Sequence, residues 1–97
     1  VLPAPRNLTS YRNKVGEVFY FKVTGALGGT VYGTGIYTDD SSLATAVVHA
    51  GLVAVGETAE VKVTIMPGQD SYRASTANGV TSLSYGRWQG SFRVERK

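Results

Sequence analysis

The chain has 97 residues, 42% hydrophobic and 18% charged, enough for one buried core and too short for two. It has no cysteine, which excludes disulfides, thiolate metal sites and a cysteine nucleophile. The net charge is +3, and the Lys and Arg residues are dispersed rather than gathered on one element, which argues against a nucleic-acid partner. Arg73, Arg87, Arg93, Arg96 and Lys97 tilt the balance toward the C-terminus, so a weak anionic partner is permitted. The longest apolar-looking stretch, residues 43–55, contains His49 and Gly51 and falls short of the ~20 residues that cross a bilayer. No membrane span and no secretion signal is expected.

In chain order, "VLPAPRNLT" carries two of the three prolines, and residues 1–14 are expected to form a linker or strap ahead of one domain over 15–97. "GEVFYFKVTG" alternates as a strand, with Phe19 and Phe21 directed at the core. "TVYGTGIYT", Thr30 to Thr38, is expected to be one strand interrupted by Gly33 and Gly35. A helix follows. "AEVKVTIM" is the clearest strand, with Val61, Val63 and Ile65 on one face, and Pro67-Gly68 is expected to end it as a turn. Asn78-Gly79 is the strongest short hairpin signal, and "GSFRVE" closes the chain as a strand with Phe92 and Val94 on one face. One short helix and about five to seven short strands make an α+β, mostly β, fold.

The helix is the most informative element. Leu43, Ala46, Val47 and Ala50 share one face, Ala44 and Val48 widen it almost to a full circle, and only Ser42, Thr45 and His49 stay polar. A helix apolar nearly all round is buried on most sides, so strands are expected to wrap it. Asp39, Asp40, Ser41 and Ser42 are N-cap residue types, and the two carboxylates lie near the positive end of the helix dipole. Gly51 suits the left-handed position after the helix, and His49 in the last turn complements the dipole when protonated.

The same stretch raises the question of catalysis. Ser42 and His49 are seven residues apart, roughly 10 Å along a helix, so they form no dyad. Thr45 can reach His49, but a helical threonine has a backbone bond to make. A hydrolase centred on His49 therefore needs a serine from a distant strand. Asp39 and Asp40 lack the alternating carboxylates of an EF-hand loop, so no metal site is expected there, and no cofactor motif is present.

The stretch "QDSYRASTANGVTSLSYGRWQGSF" mixes Tyr72, Tyr85 and Trp88 with Arg73, Arg87 and hydroxyls. Rings beside guanidinium groups can present stacking and hydrogen bonds to a sugar or an anionic head group. Trp88 is expected to close the core, whereas Tyr72 and Arg73, beside a turn, are expected to be exposed. The candidate contact set is Tyr72, Arg73, Tyr85 and Arg87.

The segments "VYGTGIYTDDSSLATAVVHAG", "VKVTIMPGQDSY", "STANGVTSLSYG" and "WQGSF" together resemble the LCCL domain over about Val31 to Val94, most of the chain. The resemblance implies a central helix wrapped by twisted antiparallel β-sheets. It implies no enzymatic activity, and a secreted or cell-envelope module that binds glycans or lipids such as lipopolysaccharide. Family members carry disulfide cysteines, one of them just after the Ser-Ser pair, where this chain has Ala44. The chain thus resembles a cysteine-free, bacterial-type member whose N-terminal strand supplies stability that a disulfide gives elsewhere. The partner implied is an anionic glycan or lipid head group, bound by a monomeric module. The alternative is a protein-interaction or spacer module of a larger protein, with a hydrolase using His49 as the weakest reading.

Overall fold

The computed structural model describes every residue from Val1 to Lys97. Its strands are β1 (Leu2–Pro3), β2 (Val18–Thr24), β3 (Gly33–Thr34), β4 (Ile36–Thr38), β5 (Thr58–Gln69), β6 (Thr76–Ala77), β7 (Val80–Thr81) and β8 (Trp88–Arg96). The one α-helix, α1, spans Leu43–His49, and a single 3-10 turn covers Thr9–Tyr11. Six strands form a sheet in the order β1-β2-β5-β8-β4-β3, and β6-β7 form a separate ribbon. All pairs are antiparallel except β1 with β2.

Period-two alternation makes the three long strands amphipathic. Phe21 and Val23 of β2, Val61, Val63 and Ile65 of β5 and Phe92 of β8 are buried on one face, with Phe19 and Val94 packed at the margin. Leu43, Ala46 and Val47 of α1 join them, and α1 also meets β7 of the ribbon. The helix is thus covered from two sides, as its all-round apolar pattern requires. Fully burying side chains of this size contributes about 1.5–3 kcal/mol each. Residues 1–14 supply Leu8, which has no exposed surface, and Tyr11, whose ring packs edge-on against Phe19 at 4.8 Å.

Two expectations are corrected. Thr30 to Thr38 is not one interrupted strand. The chain turns at Gly35, where φ is +77°, and β3 folds back on β4 with Gly33 opposite Tyr37. Nor does Pro67-Gly68 end β5, which continues to Gln69 opposite Trp88. The backbone N–H of Ile65 points away from β8, to Glu17 at 3.0 Å. Pro67, two residues on, faces the same way but beyond the end of β2, so its missing N–H costs no ladder bond. The Asn78-Gly79 hairpin forms as expected, with both residues at positive φ.

Candidate binding site

Of the four cap-type residues, Ser42 alone caps α1, its Oγ accepting from the Thr45 N–H at 3.3 Å. Ser41 is buried and bonded to Thr38 Oγ1 and the Tyr32 N–H. Gly51, at φ +77°, follows the last residue of the helix end, Ala50. Asp39 does not cap. It is buried, and its Oδ2 accepts from Arg12 Nε at 2.6 Å. Its Oδ1 accepts from Arg12 Nη2 and from Trp88 Nε1, both at 2.8 Å. Burial pushes the Asp39 pKa up, but the hydrogen bonds from Arg12 and Trp88 and the Arg12 charge outweigh it and hold the carboxyl below its usual value. Gly90 makes this possible, because a Cβ there would strike Asp39 Oδ2. Asp40, next in the chain, is exposed and makes no ion pair.

His49 is 2% exposed, and a distant serine does approach it: Ser75 Oγ lies 3.0 Å from Nε2. The Ser75 carbonyl lies 3.2 Å from the same nitrogen. A carbonyl only accepts, so Nε2 carries the proton and donates to both oxygens of Ser75. Nδ1 then accepts from the Tyr37 hydroxyl at 2.9 Å. Burial raises the Tyr37 pKa and keeps that hydroxyl protonated. The Ser75 hydroxyl is left to donate to Thr34 Oγ1 at 2.6 Å, and Thr34 to the Arg73 carbonyl at 2.8 Å. Every proton in this row is committed away from His49 Nε2. In this tautomer the imidazole anchors the Ser75 segment through its Nε2–H.

The four candidate contact residues lie on two segments joined by one antiparallel bridge. The Tyr72 N–H donates to the Tyr85 carbonyl at 2.8 Å, and the reverse bond is 3.2 Å. Tyr72 is 5% exposed, a correction to the expected exposure, and its hydroxyl accepts from the Gln69 N–H and donates to the Trp88 carbonyl. Trp88 is half-buried, and Tyr85 is 43% exposed. Its ring stands 5.4 Å from that of Tyr32 and 5.5 Å from that of Trp88, at 68° and 83° to them. Arg73 is exposed and makes no ion pair, and exposed Arg87 pairs with Asp70 at 3.1 Å. Tyr32, Thr38, Asp40, Tyr85 and Trp88 line a notch of about 150 Å³.

A family model for the LCCL domain matches residues 10–92. The chain belongs to the LCCL domain family. Vitrin of Mus musculus is 42% identical over 64 residues, 66% of this chain and 10% of vitrin. Cochlin of Homo sapiens is 36% identical over 67 residues, 69% of this chain and 12% of cochlin. The chain therefore spans about a tenth of the length of the curated relatives it matches, where the LCCL domain is one part of a longer chain. The expected secreted or cell-envelope location accords with this kinship.

The match begins ahead of residue 15, and Arg12 lies inside it. Sequence reasoning did not find Arg12, Tyr32, Tyr37 or Ser75 as members of polar clusters. Arg12 meets Asp39 across 27 positions, and Ser75 meets His49 across 26. No periodicity carries such pairings. In this LCCL domain the position of Ala44, two residues beyond the Ser-Ser pair, is tied through its carbonyl to the Ala26 N–H just after β2, at 3.2 Å.

Proposed function

We propose that this LCCL domain is a non-catalytic binding module of a larger extracellular protein, taking an anionic glycan or lipid head group such as lipopolysaccharide on the rim formed by Arg73, Tyr85 and Arg87. The observation that carries this reading is the antiparallel Tyr72–Tyr85 bridge, which joins the two segments with Arg73 on one side of it and Arg87, beside Asp70, on the other, while Arg73 keeps no carboxylate partner. Arg87 is held by Asp70 only in a fully solvated pair, which an anion can displace at little cost. The proton arrangement around His49 favours the absence of catalysis.

Amide NMR titration with heparin and with lipopolysaccharide tests this at low and physiological salt. Shifts are expected at Arg73, Tyr85 and Arg87, weakening with salt but persisting at physiological strength. Arg73→Ala is expected to weaken binding about fivefold, as for one charge-assisted contact. Diffuse shifts that vanish with salt would remove the reading. A protein partner is the second reading, and exposed Leu83 close in sequence to Tyr85 favours it. The sheet edges do not, since β1 and β3 are two residues long and give a strand little to pair with.

A further inference from the structure

We infer that the notch between Tyr32, Tyr85 and Trp88 is a cage for an alkylammonium group, with Asp40 as its counter-charge. This goes beyond the anion-binding rim, because the notch has the opposite electrostatic character. Its walls are three aromatic rings, the middle one nearly perpendicular to each of its neighbours. Ring faces carry negative quadrupole density and attract a cation within about 6 Å of the centroid. Arg12 already uses Trp88 in this way, its guanidinium carbon lying 5.7 Å from the ring centroid.

Charge at the notch is decided by which aspartate is spent. Asp39 is neutralised by the two bonds from Arg12 and fixed by the indole N–H of Trp88. Asp40 lines the notch, is exposed, and has no cationic partner. Thr38, the fifth lining residue, has its hydroxyl tied to Ser41. The notch therefore offers a cation one free carboxylate and three ring surfaces. An anion would meet the Asp40 carboxylate there, which no ion pair holds. The space, about 150 Å³, suits a methylated or primary ammonium head and not a whole sugar. The bond from Trp88 to buried Asp39 holds one wall in place before any ligand arrives, so little ordering is lost on binding.

Choline and n-butylammonium are the probes, followed through the Trp88 indole N–H signal and the Tyr32 and Tyr85 ring signals of the whole chain. The neutral isostere of choline, 3,3-dimethylbutan-1-ol, is the control. Saturable shifts with the cations and none with the alcohol are expected. Asp40→Asn, a surface change, is expected to weaken cation binding roughly five- to tenfold, and Tyr85→Leu to weaken it at least as much. Tighter binding of choline would assign the natural ligand to quaternary head groups, and tighter binding of butylammonium to lysine-like primary amines. Equal shifts with the alcohol, or cation binding unchanged in Asp40→Asn, would overturn the inference.

Discussion

The environment of His49 and the notch at Tyr85 are built from the same materials, aromatic rings and hydroxyls beside a titratable group, yet they differ in what is left over. Around His49 every proton has an acceptor, from Tyr37 through the imidazole and Ser75 to Thr34 and the Arg73 carbonyl. At the notch Asp40 faces solvent without a partner and Tyr85 keeps 43% of its surface. A cluster whose members satisfy one another is structure, because any ligand must first break bonds already made. A cluster that ends in free charge and open ring surface has unspent interactions. With Nε2 protonated, the Ser75 hydroxyl turns from His49 to Thr34, whereas the neighbours of Tyr85 keep interactions that a ligand could use.

The sharpest break in that contrast comes at the buried carboxylate that divides the two regions. Asp39→Ala leaves the Arg12 guanidinium and the Trp88 N–H without their acceptor, and is expected to cost about 2–4 kcal/mol. Thermal unfolding should fall by about 10–20 °C. The same carboxyl sets the acid limb. Its folded pKa lies below the unfolded value, so its contribution is fully present above the unfolded pKa of about 4 and is lost as pH falls through the folded value. A stability curve of Asp39→Ala should therefore lie below that of the parent at neutral pH and converge on it in acid. Parallel curves down to pH 2 would mean that Asp39 is not held by charge.

Tyr37→Phe is expected to cost less, about 1–2 kcal/mol, since it removes one hydroxyl and leaves His49 Nδ1 buried without a donor. It also reports on the tautomer. Nitrogen-15 chemical shifts of the parent imidazole should show a protonated Nε2 and a bare Nδ1. The opposite tautomer would turn the Ser75 hydroxyl toward His49 and reopen the question of a nucleophile.

What the sequence showed and what it hid follow the distance over which each interaction acts. Alternation in β2, β5 and β8, the apolar faces of α1 and the Asn78-Gly79 hairpin are set by residues two to four apart, and all were legible. The fate of Pro67 was not, because it depends on where β2 ends, a partner strand beginning forty-nine positions earlier at Val18. Asp39 looked like a helix cap since capping is local. Its actual partners, Arg12 and Trp88, lie 27 and 49 positions away. Tyr72 departed from its expected exposure for the same reason. Its backbone pairs with Tyr85 and its hydroxyl donates to the Trp88 carbonyl, and nothing in the local sequence reveals either contact.

The smallest expected effect on stability sharpens the comparison most. Tyr85→Ala removes an exposed ring that makes edge contacts with Tyr32 and Trp88 but accepts and donates no side-chain hydrogen bond that holds the fold. Stability should change by no more than about 1 kcal/mol, the range of an aromatic pair at the surface. The backbone bridge to Tyr72 does not need the side chain, so the amide spectrum away from the notch should stay in place. If Tyr85 is instead part of the core in solution, urea unfolding of Tyr85→Ala will show a loss of about 3 kcal/mol or more, as for a buried aromatic cut to alanine. That result would close the notch and return its residues to the structural side of the comparison. A near-neutral result leaves a large aromatic surface that the fold does not require, and a binding role then accounts for it better than stability does.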